Sequence, residues 1–347
     1  MPALRVGRDA VLQCLEAVYP GISPKNIIEQ SGSFVFRGGR VYTFNDETAC
    51  RMKSPFDPSF EAAVPAGVFL DLLRKLPDDD LDFEMVDGEL VISGKRKKTG
   101  ISAEANITLP IDSMEFPGKE DWQDLPEDFC DAIGIVQDCA GTDATIFTMT
   151  CVHIHPKWVE ACDNFQLARY TIKTGLKKPT LVKRESIKNI VNMGMTKFAE
   201  TANWLHFKNG TGMVMSCRRY AEDYEDMSRA INMTDGEQTT LPKSLAEAVD
   251  RSEIFSSQNA DDSDLYVELR KGAVRIRGVG ATGWHQEVKK MVYNGPAREF
   301  RIAPKILREI CQKYNDCLIG ETQLKVDGGR FIYVSSLEVP DGGKSDA

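Results

Sequence analysis

"VPAGVFLDLLRKLP" (residues 64–77) has Phe69, Leu72, Leu73 and Leu76 at i, i+3, i+4 and i+7. That spacing predicts an amphipathic helix, which Pro77 ends; Arg74 and Lys75 lie on its polar face. The shape returns in "LVKRESIKNIVNM" (181–193) and "IAPKILREICQKY" (302–314). With Val64, Val182 and Ile302 aligned, the offsets are 118 and 120 residues. The inward triplets then match: Phe69, Leu72 and Leu73; Ile187, Ile190 and Val191; Leu307, Ile310 and Cys311. A repeat of this length is too long for a solenoid.

The context repeats as well. Each helix precedes a predicted hairpin with alternating apolar residues around a Gly-containing turn: 81–94, 205–217 and 324–336. A second helix type recurs with Val11, Cys14 and Leu15, with Phe129, Ala132 and Ile133, and with Leu245, Ala248 and Val249 facing inward. "LPEDFCDAI" (125–133) and "LPKSLAEAV" (241–249) share a Leu-Pro opening, Pro being suited to a first helical turn. Strands follow each, at 33–44, 150–162 and 265–278. The expected fold class is α+β, in three repeated domains of two helices packed on antiparallel sheet. Polar junctions place the domains at 1–118, 119–231 and 232–347. The tail "PDGGKSDA" reads as disordered.

The 347 residues carry a net charge of −9, which argues against nucleic acid unless positive charge is gathered on one surface. The three sequences of the opening type do gather it. Arg74 and Lys75 oppose Asp71; Lys183, Arg184 and Lys188 oppose Glu185; Lys305, Arg308 and Lys313 oppose Glu309. The other helix type does not follow: Glu127, Asp128 and Asp131 make one of its members acidic. No run of 18 apolar residues is present, so no membrane span is expected, and "MPALRVGRDAV" lacks a signal-peptide core. Nine scattered cysteines without a Cys-x-x-Cys pair read as reduced thiols, Cys14, Cys50, Cys130 and Cys311 among apolar neighbours, which points to the cytoplasm.

These segments resemble a known family. "ITLPIDSMEFPGKEDWQDLP" (107–126) is similar to the first domain junction of bacterial DNA polymerase III beta sliding clamps. The opening helix with its following strand, "EACDNFQLARYTI" (160–172) and "RRYAEDYEDM" (218–227) also resemble clamp segments, with Asp163, Leu167 and Ala168 in register. Departures are Asn164-Phe165-Gln166 in place of Gly-His-Arg, Glu222 in place of Pro, and the ending "SSLEVPDGG". The pattern is that of a diverged clamp, such as a phage or mobile element would encode.

The resemblance implies a non-enzymatic ring of two chains joined head to tail around double-stranded DNA. It implies a clamp loader and a replicative DNA polymerase as partners, and no cofactor. The DNA-facing candidates are Arg74, Lys75, Lys183, Arg184, Lys188, Lys305, Arg308 and Lys313. A partner peptide would enter an apolar pocket, with Leu167 as its clearest wall and Met149, Cys162 and Leu337 as further candidates.

Other signals carry less. "GVGATG" (278–283) satisfies Gly-x-Gly-x-x-Gly, but the strand-like "WHQEVKKMVY" follows it instead of a helix. His153 and His155 can share a strand face without a third ligand nearby. "LPDDDLD" (76–82) reads as a helix-ending turn, and Asp261, Asp262 and Asp264 as a solvated loop. Two alternatives stand beside the clamp: a metal-dependent enzyme of nucleic-acid metabolism using His153 and His155, and a clamp-like scaffold that does not encircle DNA.

Overall fold

A computed structural model describes residues 3–25, 27–257 and 263–339. The chain runs three times through one order of elements. The first pass is β1 (Leu4–Gly7), α1 (Arg8–Val18), β2 (Ser33–Arg37), β3 (Arg40–Phe44), β4 (Thr48–Lys53), β5 (Ala62–Pro65), α2 (Ala66–Lys75), β6 (Asp80–Val86), β7 (Glu89–Gly94) and β8 (Lys97–Ser102). The second is β9 (Gln123–Asp124), α3 (Phe129–Val136), β10 (Cys151–His155), β11 (Trp158–Cys162), β12 (Gln166–Thr171), β13 (Thr180–Lys183), α4 (Arg184–Ile187), β14 (Met195–Glu200), β15 (Trp204–Asn209) and β16 (Val214–Arg218). After the short α5 (Ser228–Ile231), the third is β17 (Glu237–Thr240), α6 (Leu245–Ser256), β18 (Leu265–Arg270), β19 (Ala273–Gly280), β20 (Gly283–Lys290), β21 (Arg298–Ile302), α7 (Pro304–Lys313), β22 (Asp316–Ile319), β23 (Gln323–Asp327) and β24 (Phe331–Ser336).

The three anchors of the repeat sit alike. Val64, Val182 and Ile302 lie in β5, β13 and β21, each in the strand that leads into the second helix of its pass. In α2 the buried face is Ala66, Phe69, Leu70 and Leu73; Leu72 is only half-buried, and Leu76 lies just past the helix. Burying each of Phe69, Leu70 and Leu73 is worth about 1.5–3 kcal/mol. Arg74 and Lys75 in the last turn complement the helix dipole. The helix expected over 181–193 is much reduced. Thr180–Lys183 is strand, paired with β10, because Leu181 and Val182 are buried there; one α turn and a 3-10 stretch, Lys188–Asn192, follow. Lys183 is therefore a strand residue, and its expected place on a helix face is corrected.

Two compact units result. The first comprises Met1–Glu127 with Glu185–Tyr220, the second Asp128–Arg184 with Ala221–Ala347. Residues 119–231 contribute to both. The first unit holds a four-stranded sheet, β1-β6-β7-β8, and an eight-stranded one, β5-β2-β3-β4-β16-β15-β14-β9. The second holds β13-β10-β11-β12-β24-β23-β22-β17 and β20-β19-β18-β21. Each eight-stranded sheet is two four-stranded halves joined by an antiparallel seam: β4 on β16, with Ala49 opposite Ser216, and β12 on β24, with Leu167 opposite Val334.

The Gly-x-Gly-x-x-Gly stretch lies at the β19–β20 hairpin, where Gly280 pairs with Gly283. Gly278 is there for packing: a Cβ would run into the Ser252 carbonyl of α6, which lies on this sheet. Cys14, Cys50 and Cys311 are buried, and Cys130 is half-buried. Asp261, Asp262 and the tail from Pro340 lie outside the described residues.

Candidate functional site

The basic residues of the helices are compensated by neighbouring acids. Arg74 donates from Nη2 to Glu16 of α1 at 2.9 Å and lies 3.9 Å from Asp71. Arg308 does the same across α7 and α6, with Nε 2.8 Å from Asp250 and a second bond to Glu253. Lys313 reaches Glu309 at 2.6 Å, and Lys188 bonds Glu185. Lys75 is exposed and makes no ion pair among the described residues.

Three of the candidates are tied into the fold. Arg184, half-buried, donates to the Ala140 carbonyl at 3.0 Å and to Asp138 at 3.4 Å. Lys305 donates to the Gly134 carbonyl at the surface of α3 and lies 4.0 Å from the same Asp138. Lys183 places its ammonium 5.5 Å from the Phe147 ring. Exposed pairs such as Arg74–Glu16 are worth about 0–1 kcal/mol, so an incoming phosphate can displace the carboxylate. Arg184 is fixed more firmly, because its partners are half-buried.

Two of the expected apolar residues meet at the second seam. Cys162 at the end of β11, Leu167 of β12 and Val334 of β24 sit side by side, since Leu167 pairs with both across the ladder. Ile231 of α5 joins them to make one buried cluster, with Tyr224, Met227, Ala230 and Ile332 packed around it. Leu167 and Cys162 thus come together as expected. Met149 and Leu337 are not in the cluster. Met149 is half-buried in a 3-10 turn, its carbonyl taken by Gly141, while Leu337 is buried with its N–H on the Thr322 carbonyl. The sequence reading missed Val334, Ile231, Tyr224 and Met227. Val334 carries the one available signal, as a residue in an alternating strand.

The rim is held by a turn. Asp163 Oδ1 accepts N–H bonds from Phe165 at 2.7 Å and Gln166 at 2.8 Å, which fixes Asn164–Gln166 as a tight Asx turn. Burial raises the Asp163 pKa, and those bonds oppose it. Tyr224 lies over the site: its hydroxyl donates to Cys162 Sγ at 3.1 Å, and its ring stacks on His153 at 4.7 Å. Burial raises the Tyr224 phenol, so the hydroxyl remains a donor, and burial pushes the Cys162 thiol up to about 11.

Beside this cluster is a group of buried charges. Glu160 accepts from Arg169 Nε at 2.7 Å and Trp158 Nε1 at 2.9 Å, and lies 2.7 Å from His153 Nδ1. Burial pushes its carboxyl up; His153, Arg169 and Trp158 overcome that and hold it below its ordinary value. His153 is thereby committed to Glu160, and His155 stacks on Trp158 at 3.6 Å. No cluster of three metal-ligating side chains exists among the described residues.

No family model and no curated protein matches the chain. Solved structures do. The DNA polymerase III beta subunit of Thermotoga maritima covers 98% of this chain with 100% of its own, at 15% identity and TM-score 0.73. A sliding clamp (DNA polymerase III subunit beta) from Bartonella birtlesii bound to griselimycin covers 97% with 99% of its own, at 13% identity and TM-score 0.75. The DNA polymerase III beta chain of Streptococcus pneumoniae covers 97% with 100% of its own, at 15% identity and TM-score 0.72. From end to end, the chain has the fold of the bacterial beta sliding clamps.

Proposed function

We propose that this protein is a DNA sliding clamp, a non-enzymatic processivity factor that encircles duplex DNA and tethers a replicative polymerase. One observation carries the reading. Twice the chain joins the last strand of one hairpin set to the last strand of another, β4 to β16 and β12 to β24. The corresponding strands of the third joint are β20 and β8, which end their sheets. Unpaired strand edges are templates for another chain. Two copies that pair β20 on β8 head to tail leave no such edge at either joint, and the rotation closes into a ring. The three passes are then three domains per chain, divided near 118 and 231.

In that ring the helices face the duplex. Arg74, Lys188, Arg308 and Lys313 exchange their weak carboxylate partners for phosphates and Lys75 joins them, which gives non-specific, salt-sensitive contact suited to sliding. The Leu167–Val334 pocket takes an apolar peptide from the polymerase and from the clamp loader that opens the ring.

The test is retention on DNA. After loading, the protein should stay on closed circular DNA through a high-salt wash and leave when the circle is cut, and its mass in solution should be that of two chains. Loss from circles and linear DNA alike at the same salt would refute encirclement.

A further inference from the structure

The sheet β20-β19-β18-β21 has one face under α6, where Leu265, Val267, Leu269, Val274 and Ile276 are buried. Its other face bears a row of alternating rings and guanidinium groups. Phe165, in the turn before β12, is 41% exposed and lies 5.5 Å from the Arg301 guanidinium. Arg301 is 5.4 Å from the Tyr266 ring, its partner across the ladder. Tyr266 pairs in turn with Arg277, which is 5.4 Å from the ring of Trp284, 60% exposed on the edge strand. Arg301, Tyr266 and Arg277 lie in line across the strands, and Trp284 is offset by two residues along β20 from Gln286, the ladder partner of Arg277.

Cations outnumber acids here. Arg270, Arg275, Arg277, Lys290 and Arg301 share this face with Glu268 and Glu299, and Glu338 is bridged beside Glu299, in a chain of net charge −9. Glu268 is neutralised by Arg270 and Arg275. Arg277 is exposed and makes no ion pair among the described residues. The exposed Val288 extends the apolar part of the surface beside Trp284.

We propose that this face binds single-stranded nucleic acid, with bases stacked on Trp284, Tyr266 and Phe165 and phosphates held by Arg277 and Arg301. Cations alone would fit an acidic peptide equally well. The interleaving of rings with guanidinium groups favours bases, because every base offers a flat π face and a phosphate between neighbours. The site lies opposite the helix side and does not depend on encirclement of duplex. Pairing along the β20 edge would use backbone groups in the sheet plane and leave this face open.

The probe is fluorescein-labelled oligo(dT), followed by anisotropy and by quenching of tryptophan emission. The intact protein should bind it, with salt-dependent affinity and quenched emission. Trp284→Ala should weaken binding by roughly tenfold, and Arg277→Ala by a similar factor with a shallower salt dependence. Trp284→Phe should keep most of the affinity and lose most of the quenching. Both positions are exposed, and unchanged far-ultraviolet circular dichroism verifies the fold of each variant. Failure of the intact protein to bind, variants within twofold of it, or displacement of oligo(dT) by polyglutamate as readily as by unlabelled oligo(dT) would overturn the assignment.

Discussion

The two seams share a backbone plan and fill it differently. Phe44, Ala49 and Ser216 at the β4–β16 seam stand where Cys162, Leu167 and Val334 stand at the β12–β24 seam. Both are preceded by the same turn: Asn45 Oδ1 accepts the Thr48 N–H at 2.8 Å, as Asp163 does for Gln166. At the first seam Phe44 packs 6.1 Å from Trp204, and Leu109, Ile111, Met114 and Phe116 from the following segment close over it. The second has small Cys162 and Val334 under Tyr224 and Met227. Both seams are buried clusters, and the second has smaller residues at its centre, with Tyr224 and Met227 packed against them. The arginine that follows is also treated in two ways. Arg51 lies 3.7 Å over the Phe116 ring, whereas Arg169 is bound to buried Glu160.

Four measurements would break or sharpen this contrast. Glu160→Ala strips Arg169 and His153 of their partner and should cost about 3–5 kcal/mol in the unfolding transition of the second unit. Arg51→Met, its counterpart, should cost no more than about 1 kcal/mol, since much of its stem packing survives. Equal losses would erase the distinction between the two arginines. Trp204→Ala should cost about 3–4 kcal/mol by denaturant unfolding, against about 2 kcal/mol for Leu167→Ala, because the indole removes more buried apolar volume.

The third measurement concerns pH. His206 lies under the first seam, 2.7 Å from Ser216 Oγ, and burial, then Arg51 and Arg219, bring its pKa down from 6.5 to about 3. The folded-state pKa is depressed, so the unfolded chain takes up the proton first. Stability held above pH 6.5 is lost as pH falls toward 3, by about 2 kcal/mol at pH 5. Denaturant midpoints for the first unit at pH 7 and 5 should differ by that much more than in His206→Gln. The smallest effect is at the second seam: Tyr224→Phe removes the bond to Cys162 and should cost about 1 kcal/mol or less.

The sequence made the repeat legible because helix spacing and strand alternation are local. The helices Arg8–Val18, Ala66–Lys75, Phe129–Val136, Leu245–Ser256 and Pro304–Lys313 and the three predicted hairpins fall where periodicity placed them. The reduced helix after Val182 was not legible, since strand pairing with β10 overrode a helical apolar pattern. The cluster was half legible. Cys162 and Leu167 are neighbours through one tight turn, but Val334 reaches them only through a ladder between segments 167 residues apart. The acids facing Arg74 and Arg308 were hidden for the same reason, since Glu16, Asp250 and Glu253 belong to a different helix of each pair.

Both seams are stitched by amide and carbonyl groups, which every residue but proline supplies in full. Such a join places few demands on the letters of the sequence. Side chains along it can drift from alanine to leucine, or from phenylalanine to cysteine, while the halves stay fastened. A fold held this way can outlast most of the wording that once specified it.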